Sequence, residues 1–366
     1  MHQVNTIVFK KKEDVFYHKL NERVREYFRR ERISTYANAR FYIKGLILLA
    51  AYVLGYIMIV IWGENTASLM AGYMLMGAMA ILIGLNLGHD AAHSAISRNN
   101  QINKAIRMVF DLLGANSFMW RNRHVFAHHP YPNISEQDSD IRQVGFVRIF
   151  PSDRIKAVHR YQHVYMPFVY LFYTLHWLYR RDFADYFSEN IGAFRRGKFP
   201  KKEFVRMLIF KVFYLVYVLI VPLIYVDQSV GMILLGWLLM NFSASAVVAV
   251  ALVSAHVGED AIFPEPEENG EMGTSWAEHQ LMTTSDFATE NAVVNFLFGG
   301  FNHHVVHHLF PRICHIHYPG LTPLVRQTAA EVGLEYHCEP KLGKAILSHW
   351  QLLKNRGPVA WDSYEW

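Results

Sequence analysis

Residues 302–311 read NHHVVHHLFP. On a helix, positions three and four apart share a face. His304, His307 and His308 would then point one way and offer three imidazoles to one metal ion. Two further boxes carry the same chemistry. His89-Asp90-Ala91-Ala92-His93 is a two-ligand grip at i, i+4. In His124-Val125-Phe126-Ala127-His128-His129 the spacing puts His124 and His128 on one face, with His129 beside them. Eight imidazoles exceed what one tetrahedral or octahedral ion takes, and they fit two. Neutral imidazole suits zinc, copper, nickel and iron alike, so ligand type alone does not choose the metal. A ligating ring is usually oriented by a carboxylate or carbonyl behind it. Asp90, Asp138 and Asp140 are candidates for that role, or else ordinary polar loop residues.

Composition limits what surrounds these boxes. The two cysteines, Cys314 and Cys338, make neither a disulfide framework nor a C-x-x-C pair, so nitrogen and oxygen must hold any metal. The 366 residues are 52% hydrophobic and 14% aromatic, yet the mean hydropathy is only +0.08. A membrane part joined to a sizeable polar part gives such numbers. The net charge of +5 suits a basic membrane face. No basic run is interleaved with aromatics, so no nucleic-acid partner is expected.

The elements that must position the boxes begin with four apolar segments, residues 41–62, 67–87, 208–226 and 230–253, each near the 20 or so residues that cross a bilayer. Lys44 is expected to snorkel from the first; Lys211 lies a turn into the third. Ser243, Ala244, Ser245 and Ala246 permit close helix contact in the fourth. The turns within each pair of spans carry no Lys or Arg. The stretches before the first and third spans do: Lys10, Lys11, Lys12, Arg23, Arg25, Arg29, Arg30, Arg32 and Arg40, then Arg180, Arg181, Arg195, Arg196, Lys198, Lys201, Lys202 and Arg206. The positive-inside rule puts both stretches on the cytoplasmic side. Residues 106–119 are too short to cross and 165–178 are borderline. Boxes that share one site require an even number of crossings between them, so both stretches read as interfacial. All three boxes then face the cytoplasm. Residues 14–32 read as an amphipathic helix, solvated or lying on a surface, and the N-terminus does not read as a signal peptide. Residues 258–273 read as an acidic loop, and 321–366 as helices without identifiable chemistry.

HDAAH, HVFAHH and HHVVHH, in this order around two hydrophobic hairpins, resemble the membrane fatty-acid desaturase superfamily over about residues 41–317. Gly299 to Asn302 (GGFN), HHLFP, and W-x-x-H-Q-x-x-T-T at 276–284 are similar to acyl-CoA and acyl-lipid desaturases of the linoleoyl or front-end type. That branch often has Gln where His304 stands here, a departure toward the general H-x-x-H-H form that weakens a front-end assignment. The resemblance implies an all-α integral membrane protein, one domain over residues 1–366. Its four transmembrane helices form two hairpins, with interfacial helices and a cytoplasmic histidine-rich cap from 88–207 and 254–366. It implies two iron ions cycling between Fe2+ and Fe3+, with O2 as co-substrate. Their ligands would be His89, His93, His124, His128, His129, His304, His307 and His308, with His256 matching an additional histidine after the last span. No catalytic residue is expected beyond these ligands. His303 reads as supporting or structural, and His279 as near the site but outside the ligand set; His159, His163 and His176 read as structural, as do His315 and His317 unless they support the ligands.

No side-chain acid or base removes hydrogen from an unactivated CH2 near neutral pH; an oxidising metal centre is needed. The implied substrate is a long-chain fatty acyl group, linked to coenzyme A or to lipid, held among membrane lipids. The hairpins and residues 165–178 would wall its tunnel. The His-Pro-Gly-Gly haem motif of fused cytochromes is absent from these residues, so electrons are expected from a separate donor, a ferredoxin or a b-type cytochrome with its reductase. A bacterial inner membrane is the expected setting, with the endoplasmic reticulum as the alternative. The same scaffold also carries hydroxylases and ketolases. A zinc protease would want H-E-x-x-H, which does not occur. A metal transporter would hold its ligands within the spans near the midplane, whereas the boxes lie beyond the expected span ends.

Overall fold

The computed structural model describes residues 7–10, 14–141, 145–195 and 197–357; Lys11, Lys12 and Arg196 lie outside these. Helices make up most of the described chain, and its strands are two-residue pairs such as Val8–Phe9 against Glu271–Met272. Four helices are long and apolar enough to cross a membrane: Ala39–Trp62, Thr66–Ala92, Lys201–Tyr225 and Val230–His256. Side chains of Asn38, Asn65 and Ser229 cap the first, second and fourth by accepting from backbone N–H groups one turn in. Small residues let the spans meet closely, as expected for helices associating in lipid. A Cβ on Gly77 would lie 2.0 Å from the Met240 carbonyl oxygen, so the second and fourth spans touch backbone to backbone. Ser243 donates to the Met74 carbonyl across the same seam at 2.6 Å.

Two spans run further than their apolar patterns indicate. The second continues through a π-helical turn, Gly84–Gly88, directly into His89–Ala92. The first box therefore rides on the span itself. The fourth ends on His256 rather than before it. Neither of the two further apolar stretches forms a helix long enough to cross. Residues 106–119 fall into the short helices Asn100–Arg107, Val109–Leu112 and Ser117–Arg121. Residues 165–178 break between Gln162–Tyr170 and Tyr173–His176. Beyond the break, Thr174 donates through Oγ1 to the Asn241 carbonyl oxygen at 3.0 Å, and its N–H donates to Ser245 Oγ at 3.0 Å. These bonds satisfy polar groups buried inside the fourth span.

The intramembrane lysines point inward. Lys44 does not snorkel: it is buried, with Nζ 3.0 Å from His315 Nε2 and 3.5 Å from the Asn295 carbonyl oxygen. Acceptors built into the cap offer its ammonium partners that a path to the interface would forgo. Lys211 is likewise buried, donating to the Gly114 carbonyl (3.0 Å), the Leu178 carbonyl (2.5 Å) and Asp182 Oδ2 (3.0 Å). Each lysine ties a span to cap segments.

The N-terminal helix Val15–Glu31 is amphipathic as its pattern indicates, but its apolar face is covered. Phe16, Leu20, Val24 and Phe28 pack with Val305, Leu309, Leu321 and Val325, joining this helix to the third box and to helix Tyr318–Glu331.

Candidate metal centre

The nine histidines singled out by sequence converge, all buried, into two groups. His89, His93, His124, His129 and His307 form one; His128, His256, His304 and His308 form the other. Within each group the nearest ring nitrogens lie within 4.8 Å of one another. The groups touch: the His129 and His308 rings stack with centroids 4.3 Å apart.

The partition differs from the α-helical expectation for two boxes. His124, His128 and His129 lie on a π-helical turn, Asn122–His128, in which the His129 N–H donates to the His124 carbonyl. A wider turn brings i and i+5 together, so His124 and His129 serve one group and His128 the other. In the third box, helix His304–Leu309 lies between the groups. Its i, i+4 pair, His304 and His308, enters the second group, while His307 enters the first. This helix begins just after Gly299 and Gly300, at φ +59° and +83°. A Cβ on Gly300 would sit 2.6 Å from the Tyr318 ring and 2.7 Å from His315 Cβ, so both dihedral angle and space demand glycine.

Nε2 atoms face one another inside each group. His124 Nε2 is 3.1 Å from both His89 and His129 Nε2, and His129 Nε2 is 2.9 Å from His307 Nε2. His256 Nε2 is 3.1 Å from His128 Nε2 and 2.7 Å from His304 Nε2. Donors at right angles around an ion about 2.1 Å away would be about 3 Å apart. The Nε2 atoms of His93 and His308 are buried without a protein partner among the described residues. Convergent, orphaned ring nitrogens of this kind fit metal binding, and the all-imidazole donor set suits iron among other transition metals.

Five of the outward Nδ1 atoms are anchored, whereas those of His89, His129 and His304 have no hydrogen-bond partner among the described residues. His124 donates to Asp140 Oδ2 and His128 to Asp138 Oδ1, both at 2.9 Å. His308 donates to Gln280 Oε1 at 2.8 Å, His256 to the Thr283 carbonyl at 3.2 Å, and His307 to the Tyr318 oxygen at 3.3 Å. Such bonds leave Nε2 as the free lone pair. Burial pushes His124 down to about 4, with Asp140 opposing in part. Burial and the neighbouring imidazoles hold His129, His304, His307 and His308 well below the usual histidine range. These rings are neutral and able to ligate at pH 7. His128 differs: burial alone would lower it, but the Asp138 carboxylate raises it.

Asp138 and Asp140 thus stand behind ligand-group rings. Asp90 does so more loosely: its Oδ1 lies 3.9 Å from His89 Nδ1, while Oδ2 accepts from His315 Nδ1 at 2.9 Å and from the His315 N–H at 3.1 Å. His303 bonds Thr322 and Asn295, His279 the Pro132 carbonyl, and His317 the Tyr36 carbonyl, so none of the three joins either group. His159 accepts from the Lys156 N–H, and His163 packs against Trp350. Sequence reasoning missed the supporting roles of Gln280 and Tyr318. Gln280 had a signal in the W-x-x-H-Q pattern; Tyr318 had none.

Two mostly apolar cavities adjoin the groups. The larger, about 270 Å³, is lined by Met166, Val169, Tyr170, Leu252 and Val253 and reaches His128, His256 and His304. His176 and Arg180 also line it. The smaller, about 80 Å³, runs among Phe110, Trp177, Tyr214 and Met240 to His89 and His124. His124, Tyr173, Leu252 and Phe301 line both. Two mostly apolar spaces with these residues in common therefore pass the histidine groups, with walls from the spans and the broken 162–181 segment.

The model of the fatty acid desaturase family matches residues 65–340, which contain every histidine of both groups. The chain belongs to the fatty acid desaturase family. Desaturases of known activity align along nearly its whole length. The sn-1 linoleoyl-lipid 6-desaturase of Synechocystis sp. is 34% identical over 350 residues, 93% of this chain and 95% of that protein. Its counterpart in Arthrospira platensis is 32% identical over 93% of this chain and 92% of that protein. The acyl-lipid (8-3)-desaturase of Physcomitrium patens is 30% identical over 93% of this chain and 72% of that protein. With four membrane-crossing helices and a buried histidine cluster, the chain is a membrane-bound fatty acid desaturase.

Proposed function

We propose that this desaturase introduces a double bond into a long-chain acyl group of a membrane lipid, with two irons held by the nine histidines. The observation that carries this reading is the division of nine buried imidazoles into two groups beside two mostly apolar cavities. The relatives' names favour a lipid-linked over a coenzyme A-linked chain. His89, His93, His124, His129 and His307 would hold one iron, and His128, His256, His304 and His308 the other. Iron bound there would activate O2, the terminal oxidant. The balance is CH2–CH2 plus O2, two electrons and two protons, giving CH=CH and two waters, with the electrons from a separate ferredoxin or b-type cytochrome system.

The protein's own part is positioning. Leu252, Val253, Met166 and Val169 bury methylenes at about 0.8 kcal/mol each. Phe301, shared by both cavities, lies where the chain must bend. Arg180 and His176 would meet the polar end of the lipid. Asp138 and Asp140 hold His128 and His124 with Nε2 turned inward. The spans are read as two hairpins within a single domain. Its cap faces the cytoplasm, in keeping with the basic stretches ahead of the first and third spans, and a bacterial inner membrane remains the proposed setting.

The test is gas chromatography with mass spectrometry of total fatty acids from a host expressing the chain beside His307→Ala. A new unsaturated acyl chain in the first sample only supports the reading, and its double-bond position gives the regiochemistry. A hydroxylated or keto product would instead assign the chain to the hydroxylases and ketolases of the same scaffold.

A further inference from the structure

His256 borders a second space unlike the acyl cavity. Ala249, Leu252, Val253 and His256 recur at helical spacing along the larger apolar cavity. Ser254 and Ala255, on the other flank of the same helix, border a third cavity of about 290 Å³ that also reaches His256. Its lining is polar: Ser254, Asp260, Thr283, Cys338 and Glu339 take part, and no Lys or Arg does among the described residues. Asp260 is exposed to solvent. The Thr283 carbonyl that borders this cavity is the acceptor for His256 Nδ1. Ser254 Oγ, in a side chain 6% exposed, has no protein partner among the described residues. It is a buried polar atom left for something that is not protein.

We propose that this cavity is the aqueous port of the metal centre, through which a hydrated divalent cation reaches the group of His128, His256, His304 and His308. The proposal rests on the two-metal reading above. A hydrated ion cannot follow the acyl route, because stripping a charge of water in an apolar space costs far more than any contact there returns. The third cavity instead meets the ion with two carboxylates. Next come hydroxyls and carbonyls, with the Cys338 thiol and His337 imidazole as softer donors. His256 stands at its inner end, one ring bordering both the wet space and the greasy one.

Cys338 offers a reversible plug, since it is partly exposed while Cys314, the only other thiol in the chain, is buried. A bulky neutral methanethiosulfonate would be attacked by the Cys338 thiolate, forming a mixed disulfide and expelling methanesulfinate; dithiothreitol reverses this. The full-length protein, stripped of metal in detergent, is mixed with Co2+, and uptake is followed by the visible bands of the bound ion. Blocking Cys338 should slow loading about tenfold, equivalent to ~1.4 kcal/mol added to the barrier. The final cobalt content should be unchanged, and reduction should restore the rate. Cys338→Ser should be indifferent to the reagent. Ser348→Trp, at the same cavity, should slow loading without any reagent and serves if the thiol resists modification. Unchanged loading rates in both the blocked protein and Ser348→Trp overturn the port. Wild-type protein that takes up no cobalt overturns the metal reading itself, which final content, not rate, reports.

Discussion

The two histidine groups are built from the same side chain but sit in different surroundings. The first has five imidazoles and borders mostly apolar space, the cavities walled by Trp177, Tyr214 and Leu252. The second has four, and three of them, His128, His256 and His304, line the larger cavity; His256 also lines the polar one. An ion held by five imidazoles has little room left in its coordination shell, whereas one held by four keeps open positions. Both groups meet the apolar cavities, through His89 and His124 in the first and through His128, His256 and His304 in the second, and the second alone also borders the polar cavity.

The largest effect should come from removing single donors. His93→Ala and His256→Ala should both abolish product, but His93→Ala leaves four donors in its group and should retain more iron than His256→Ala, which leaves three. Iron content by inductively coupled plasma mass spectrometry decides this; equal loss from both would erase the distinction. Next come the carboxylates. Asp138→Asn and Asp140→Asn remove the anchors of His128 and His124 and should each cost about 10–100-fold in metal affinity or activity. If only one does so, the anchored ring that matters identifies the more demanding group. Leu252→Trp narrows the larger cavity beside the second group. It should lower turnover on lipid substrate while leaving iron content intact, a separation that a purely structural defect would not produce.

The smallest effect concerns Asp286, which is buried and accepts from the Val305 N–H at 2.8 Å within the third box. Burial pushes its carboxyl up to about 7 from an ordinary value of 3.8. The folded state therefore holds a proton that the unfolded chain releases, and stability falls as pH rises across that window. Below it both states are protonated and the contribution is fully present. Asp286→Asn should flatten this decline, read as the thermal midpoint against pH. A slope equal to wild type would remove Asp286 from the account of how the third box is held.

Much of this was legible in the sequence, for identifiable reasons. Apolar length sufficed for the spans, and box spacing named eight of the nine histidines of the two groups; the ninth, His256, came from the family resemblance. Their division was not legible, because nothing in HVFAHH distinguishes an α turn from the π turn that separates His128 from His124 and His129. The inward lysine at 44 was hidden because its partners, His315 and the Asn295 carbonyl, lie far along the chain. Asp90 faces His89 of its own box and also holds His315, a second partner that the sequence did not show. The N-terminal helix showed its stripe but not what covers it. Apart from the π turn, the misses concern partners distant in sequence, while the spans and the boxes rest on local patterns.

The backbone contact between Gly77 and Met240 bears on how such an enzyme diverges. Helices that meet this closely cannot slide past each other to lengthen the space between them. The second and fourth spans thus act as a fixed frame, and a new acyl length or bend has to be accommodated by exchanging side chains such as Met240, Tyr214 or Leu252 around it. Divergent descendants of this scaffold should accordingly keep their helix spacing and differ in what lines it.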